Sequence, residues 1–198
     1  MKSLSFLATI VFAWLVYHHL NGPVTYPPGV LVPDDPLQTP ALPADQPFTT
    51  GKFHLQPLAH FDLQARVLSR KIYRYDRQSA LVPVDLAVGW GPMSDQAVLD
   101  RLDISQSMRF FWYEWRGAPP IAPEQIVTHA TNLHLIPSTP AIESRSKALR
   151  PGELVHLRGL LVEATGPEIG TWRSSLTRTD TGNGACELVW VEELSPTR

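Results

Sequence analysis

Hydrophobic and polar positions divide the chain into three stretches with different periods. From Leu4 to Tyr17 every residue is uncharged and most are apolar, with Lys2 just before the run. Continued to Leu20 as a helix at about 1.5 Å per residue, it reaches about 25 Å, against a bilayer core of about 30 Å. No A-x-A-like cleavage pattern follows, which predicts an uncleaved anchor. From Gly22 to Gln46 no helical or strand period persists. From Phe53 onward, alternating apolar positions predict strands. Phe61, Leu63, Ala65 and Val67 oppose Asp62, Gln64, Arg66 and Leu68 within a strand or bent strand pair over 60–75.

The pattern predicts a short helix over 95–102 with Ser94 as its cap, burying Val98 and Leu102. MRFFWYEW (108–115) is apolar on both faces, which predicts a central strand buried on both sides. Pro123 opens a second helix, NLHLIP (132–137) reads as a strand, and 141–149 as a third helix. ELVHLRGLLVEA, TWRSSLTR and ACELVWVEEL alternate cleanly and predict a three-stranded meander. The expected class is therefore a β-rich α+β domain. It would be a small curled sheet or partly open barrel, OB-like or SH3-like, with two or three short helices and one preceding transmembrane helix.

Composition sets the boundaries. Eight of the 19 prolines fall between Pro23 and Pro47, where missing donors and a fixed φ exclude helix and central strand. The division is thus a membrane anchor at 1–22, a proline-rich extended stalk at 23–52, and one globular domain at 53–198. Lys2 stands before the span and three aspartates follow it ahead of the next basic residue, Lys52. That asymmetry predicts a single-pass inner-membrane protein with its amino terminus cytoplasmic and its domain periplasmic. From Lys52 on, 16 basic residues balance 16 acidic ones, which argues against a nucleic-acid partner. A single cysteine excludes an internal disulfide.

Candidate chemistry is sparse. Trp90 sits in a GWGP loop, where it could line a ligand groove or plug one end of the barrel, and the polar loop cluster Asn132, His134, Arg158 and Arg173 could bind an anion or form a solvated sheet face. Asp180-Thr181-Gly182 matches the D-T-G of aspartic proteases, yet TDTGNG is also what a tight turn demands. Cys186 could pair with a histidine for acyl transfer, but it opens a strand whose Leu188 and Trp190 share its face, and a small structural side chain is the expectation. His129, His134 and His156 lack metal-ligand spacing, so neither metal nor cofactor is expected.

VDLAVGWGPMSD (84–95), THATNLHLIP (128–137) and WRSSLTRTDTGNGACELVWV (172–191) together resemble a family of single-span envelope proteins of Gram-negative bacteria. The resemblance covers most of 53–194 and implies a location, with no activity or catalytic residue attached. The expectation is a membrane-anchored extracytoplasmic binding or interaction module with a possible envelope protein partner. Alternatives are an envelope hydrolase using Cys186 or Asp180 with a histidine, and an accessory subunit of an envelope complex.

Overall fold

Alternation governs the longest element, β3 (Phe53–Ile72), in which every second residue from Phe53 to Val67 is buried. The computed structural model describes residues 22–182 and 184–197, together with Phe12; the expected anchor lies almost wholly outside them. Among the described residues no helix is long and apolar enough to cross a membrane.

Ahead of β3 come β1 (Leu37–Pro40) and β2 (Phe48–Thr50); after it come β4 (Val84–Gly89), β5 (Asp103–Ser107) and β6 (Phe110–Glu114). The remaining strands are β7 (Ala130–Pro137), β8 (Leu154–Gly166), β9 (Gly170–Arg173) and β10 (Glu187–Pro196). Three short helices, α1 (Gln96–Leu99), α2 (Pro123–Thr128) and α3 (Pro140–Ala148), complete a β-rich α+β fold with one large mixed sheet. β3 pairs with β4, β4 with β7, β7 with β10 in parallel, β10 with β8, and β8 again with β3. Five strands therefore close a circuit. Register shifts in β3 at Pro57/Ala59 and Val67/Ser69 mark where this long strand bends round it.

Inside the circuit Val84, Leu86, Val88, Leu133, Leu135, Val155, Leu157, Val189 and Val191 form one apolar core. Outside it, two smaller clusters lie beneath the β5–β6 hairpin and the β8–β9 region.

Four expectations are revised. The proline-rich segment is extended, but it is a strap bound to the domain. Val32 is 5% exposed within the core, Ser94 Oγ accepts from Leu31 and Val32 N–H, and Asp95 Oδ1 accepts from Gly29 N–H. Gly152, at φ +89, lies so close that a Cβ would meet Val24 O at 1.8 Å. An extended chain has unpaired backbone groups, and the domain supplies partners for them.

MRFFWYEW is no central strand. It lies in the two-stranded β5–β6 hairpin, with Phe111, Tyr113 and Trp115 packed on the domain and Trp112 53% exposed. Its second apolar face looks outward. The last third is no meander either: β9 and β10 both pair with β8 and have no ladder with each other, and 174–186 form a loop. Helix α1 is capped by Asp95, whose carboxylate accepts from Ala97 N–H, and not by Ser94, whose hydroxyl is engaged by the strap.

Candidate functional site

The outer face of β4, β7 and β10 carries the chemistry. Side chains alternate across a strand, so Leu133 and Leu135 point into the core while Asn132 and His134 point outward. Register places Asp85 opposite His134 across β4–β7. The parallel β7–β10 ladder pairs Glu187 with Leu133, which carries Cys186, one residue earlier, to the side of Asn132.

Asp85 is 0% exposed. Its Oδ1 accepts from His134 Nδ1 at 2.9 Å and from Arg109 Nη1 at 2.8 Å, while Oδ2 is buried without a partner. Arg109 also donates through Nε and Nη2 to Asp76, at 2.9 and 2.7 Å, and through Nη1 to Val82 O. Its guanidinium lies 3.6 Å from the Tyr73 ring centroid. Arg109 sits at the tip of the β5–β6 hairpin, where it and Met108 both hold left-handed φ, 70° and 52°. Two non-glycine residues in that region are strained by about 1–2 kcal/mol each, offset here by the ion pairs that pin the tip to the domain.

His134 is 3% exposed and its ring lies 4.7 Å from that of Trp172. Burial disfavours its charged form, yet the hydrogen bond to Asp85 and the interaction with the Cys186 thiol outweigh it, raising its pKa to about 9. Asn132 Nδ2 donates to Arg109 O at 3.1 Å and lies 3.9 Å from Cys186 Sγ. Gln106 Nε2 donates to Asn132 Oδ1 at 2.6 Å.

This polar array reaches solvent through one cleft of about 170 Å³. One wall is apolar, with Phe110 and Tyr113 of β6 and Ile126 and Val127 of α2; the other carries Thr131, Asn132, Asp180 and the half-buried Cys186. Asp180 accepts from Ser175 Oγ at 2.6 Å, a bond that braces the loop internally. Glu187, buried behind it, is held by Arg178 and Thr131. Among the described residues no lysine or arginine lines the cleft. A wider groove of about 490 Å³ at the hairpin base is lined by exposed charged groups and receives none of this array.

Of the residues singled out in the sequence, the structure brings Asn132, His134, Cys186 and Asp180 together. Trp90 is elsewhere: it is buried, donating from Nε1 to Asp35 Oδ1 at 2.8 Å and packing near His129. Arg158 and Arg173 are exposed and paired, with Asp62 and Glu193 and with Glu163 respectively. His129 accompanies Trp90, and His156 pairs with Asp62. Among the described residues no three His, Cys, Asp or Glu side chains converge as a metal site.

Asp85 and Arg109 escaped the sequence reading. The available signal was Asp85 as the single charge within LVPVDLAVGWGPM (81–93), a carboxylate in a strand otherwise wholly apolar and small. No protein-family model, no curated protein and no solved structure matches the chain.

Proposed function

We propose that the chain is a membrane-anchored extracytoplasmic binding module on an OB-type barrel, with its ligand site in the cleft between hairpin β5–β6, β7 and the 174–186 loop. Support for the barrel type comes from the closed five-strand circuit, in which the third and fifth barrel strands, β7 and β10, run parallel and α3 precedes the fourth. Barrels of that type take ligands on the face of their second and third strands and beside the loop joining the fourth to the fifth. The cleft lies at that position, and this coincidence carries the proposal. Fold analogy names no ligand.

The walls define its class. An apolar wall facing a polar one fits an amphipathic ligand, and among the described lining residues Asp180 is the only charged one, which fits a neutral or cationic ligand. Arg178 interacts with Asp180 from the adjoining pocket but is committed to Glu187, so an anionic ligand would meet the Asp180 carboxylate with no unpaired cation in the lining. The run Leu4–Tyr17 behind Lys2 supports a single inner-membrane span with the domain periplasmic.

Matched probes test the site. Titrating the isotope-labelled full chain in detergent with benzamidine should shift amide resonances of Thr131, Asn132, Gly182 and Ala185, while the anionic isostere benzoate should leave them unmoved. Shifts scattered over the surface, or equal for both probes, would discard the cleft as the site. A reporter fused at Arg198 that is active only outside the cytoplasm tests the address; a silent fusion contradicts it.

A second reading, an accessory subunit of an envelope complex, is favoured by the outward hairpin face. Met108 is 83% exposed, and Phe110 and Trp112 lie next to each other at 5.9 Å. A photo-crosslinking residue at Trp112 should then capture one envelope protein in cells.

A further inference from the structure

Strand pairing sets a thiol, an imidazole and a carboxylate on one face of the sheet. Cys186 stands at the cleft wall, partly buried. In the parallel β7–β10 register it lies beside Asn132, two residues along β7 from His134, with which it interacts. His134 is buried, with Nδ1 committed to Asp85 Oδ1 at 2.9 Å and its ring beside that of Trp172. That hydrogen bond fixes the ring orientation and leaves Nε2 uncommitted to Asp85. Behind His134 lies Asp85, itself held by Arg109 at 2.8 Å. Asn132 Nδ2 lies 3.9 Å from Sγ. A nucleophile reached from solvent, a base behind it and an orienting carboxylate behind the base form the sequence that nucleophilic catalysis requires. A structural cysteine needs no such retinue.

We propose that Cys186 is a nucleophile for acyl transfer from an ester or thioester, with His134 as its proton carrier and Asp85 as the residue that positions His134. This rests on the cleft being a ligand site, and it narrows the ligand to an acyl donor whose apolar part lies along Phe111, Tyr113, Ile126 and Val127.

The step balances. The thiol proton resides on His134 Nε2 as Sγ bonds to the carbonyl carbon, and the C=O π pair moves onto oxygen, where Asn132 Nδ2 donates to it. When that pair returns, the bond to the alkoxide or thiolate leaving group breaks, and the leaving group takes the proton from Nε2. Water then attacks the S-acyl carbon, giving its proton to Nε2. The carboxylic acid departs and the thiol is restored.

p-Nitrophenyl acetate is the probe. With the full chain in detergent at neutral pH, peptide mass spectrometry should find one acetyl group, on Cys186. Nitrophenolate release should continue past one equivalent and stop in Cys186→Ala. Acetylation of the folded chain should exceed that of the urea-unfolded chain at the same pH by about tenfold or more. Asp85→Asn should lower the maximal acylation rate while leaving the half-saturating ester concentration unchanged, which a merely structural carboxylate would not do. Should that variant fail to fold, the folded-to-unfolded ratio of the native chain decides alone. A folded chain that reacts no faster than the unfolded one overturns the proposal. If benzamidine still shifts the cleft resonances, only the acyl chemistry is lost; if it does not, the cleft falls with it.

Discussion

The two faces of the β4–β7–β10 sheet come from the same strands, yet they are chemical opposites. Inward lie Val84, Leu86, Val88, Leu133, Leu135, Val189 and Val191, an apolar face whose polar edge is Glu187, held by Arg178 and Thr131. Outward lie Asp85, Asn132, His134 and Cys186, with Arg109 brought in from the hairpin. Burial of apolar surface holds the five-strand circuit together at about 25 cal/mol per Å². The outer array works against that, because a buried ion pair rarely repays its desolvation and an apolar replacement often does as well. One buried carboxylate oxygen, Asp85 Oδ2, even lacks a partner. Stability therefore resides in the inner face, and the outer face has the cost profile of a site kept for use.

That contrast can be broken in several places. The largest effect should come from Arg109→Met, which leaves Asp85 buried with His134 as its sole countercharge. We expect a loss of about 3–5 kcal/mol in urea unfolding, together with loss of the benzamidine response as the hairpin tip comes free. Leu133→Ala, on the inner face of the same strand as His134, should cost about 3 kcal/mol through lost transfer energy and a cavity. It should leave the benzamidine shifts in place, because it touches only the core. If both variants abolish binding equally, the two faces are not separable.

The pH profile separates them further. His134 faces Asp85 from β4, Cys186 from the start of β10 and the Trp172 ring, with Arg109 and Asp76 beyond Asp85. Its pKa is raised from 6.5 to about 9, so the folded chain holds a proton that the unfolded chain releases sooner. The resulting stabilisation is complete below pH 6.5 and fades as pH rises through about 9. Unfolding at pH 10 should be easier than at pH 6 by about 3 kcal/mol, and His134→Leu should flatten that part of the profile. Smallest of all, Asp35→Ala removes the strap's acceptor for Trp90 Nε1 and should cost about 1 kcal/mol in thermal or urea unfolding, with cleft chemistry intact.

How much of this was legible in the sequence follows from the range of each interaction. The inward set Phe61, Leu63, Ala65 and Val67 followed from alternation, since period two is a local property of a strand. All three helices were visible from proline, caps and spacing. Asn132 and His134 emerged as candidates only as part of a polar cluster with Arg158 and Arg173, which the structure leaves in surface ion pairs elsewhere. What joins them to residues 85, 109 and 186 is strand pairing across long loops, and no local pattern records that. MRFFWYEW misled because two apolar faces mean burial on both sides in a central strand, whereas here one face meets the domain and the other meets the cleft mouth and solvent. The strap misled because proline content fixes conformation and says nothing about what the chain packs on.

The central claim is that the outer polar array serves the cleft and not the fold. Urea unfolding of the double variant Asp85→Val/Arg109→Met tests it most directly, since the pair is then replaced by apolar side chains and no buried charge is stranded between them. Recovery of at least half of the loss caused by Arg109→Met alone is the predicted result. A double variant no more stable than the single one would show that the array holds the fold together, and would contradict the account.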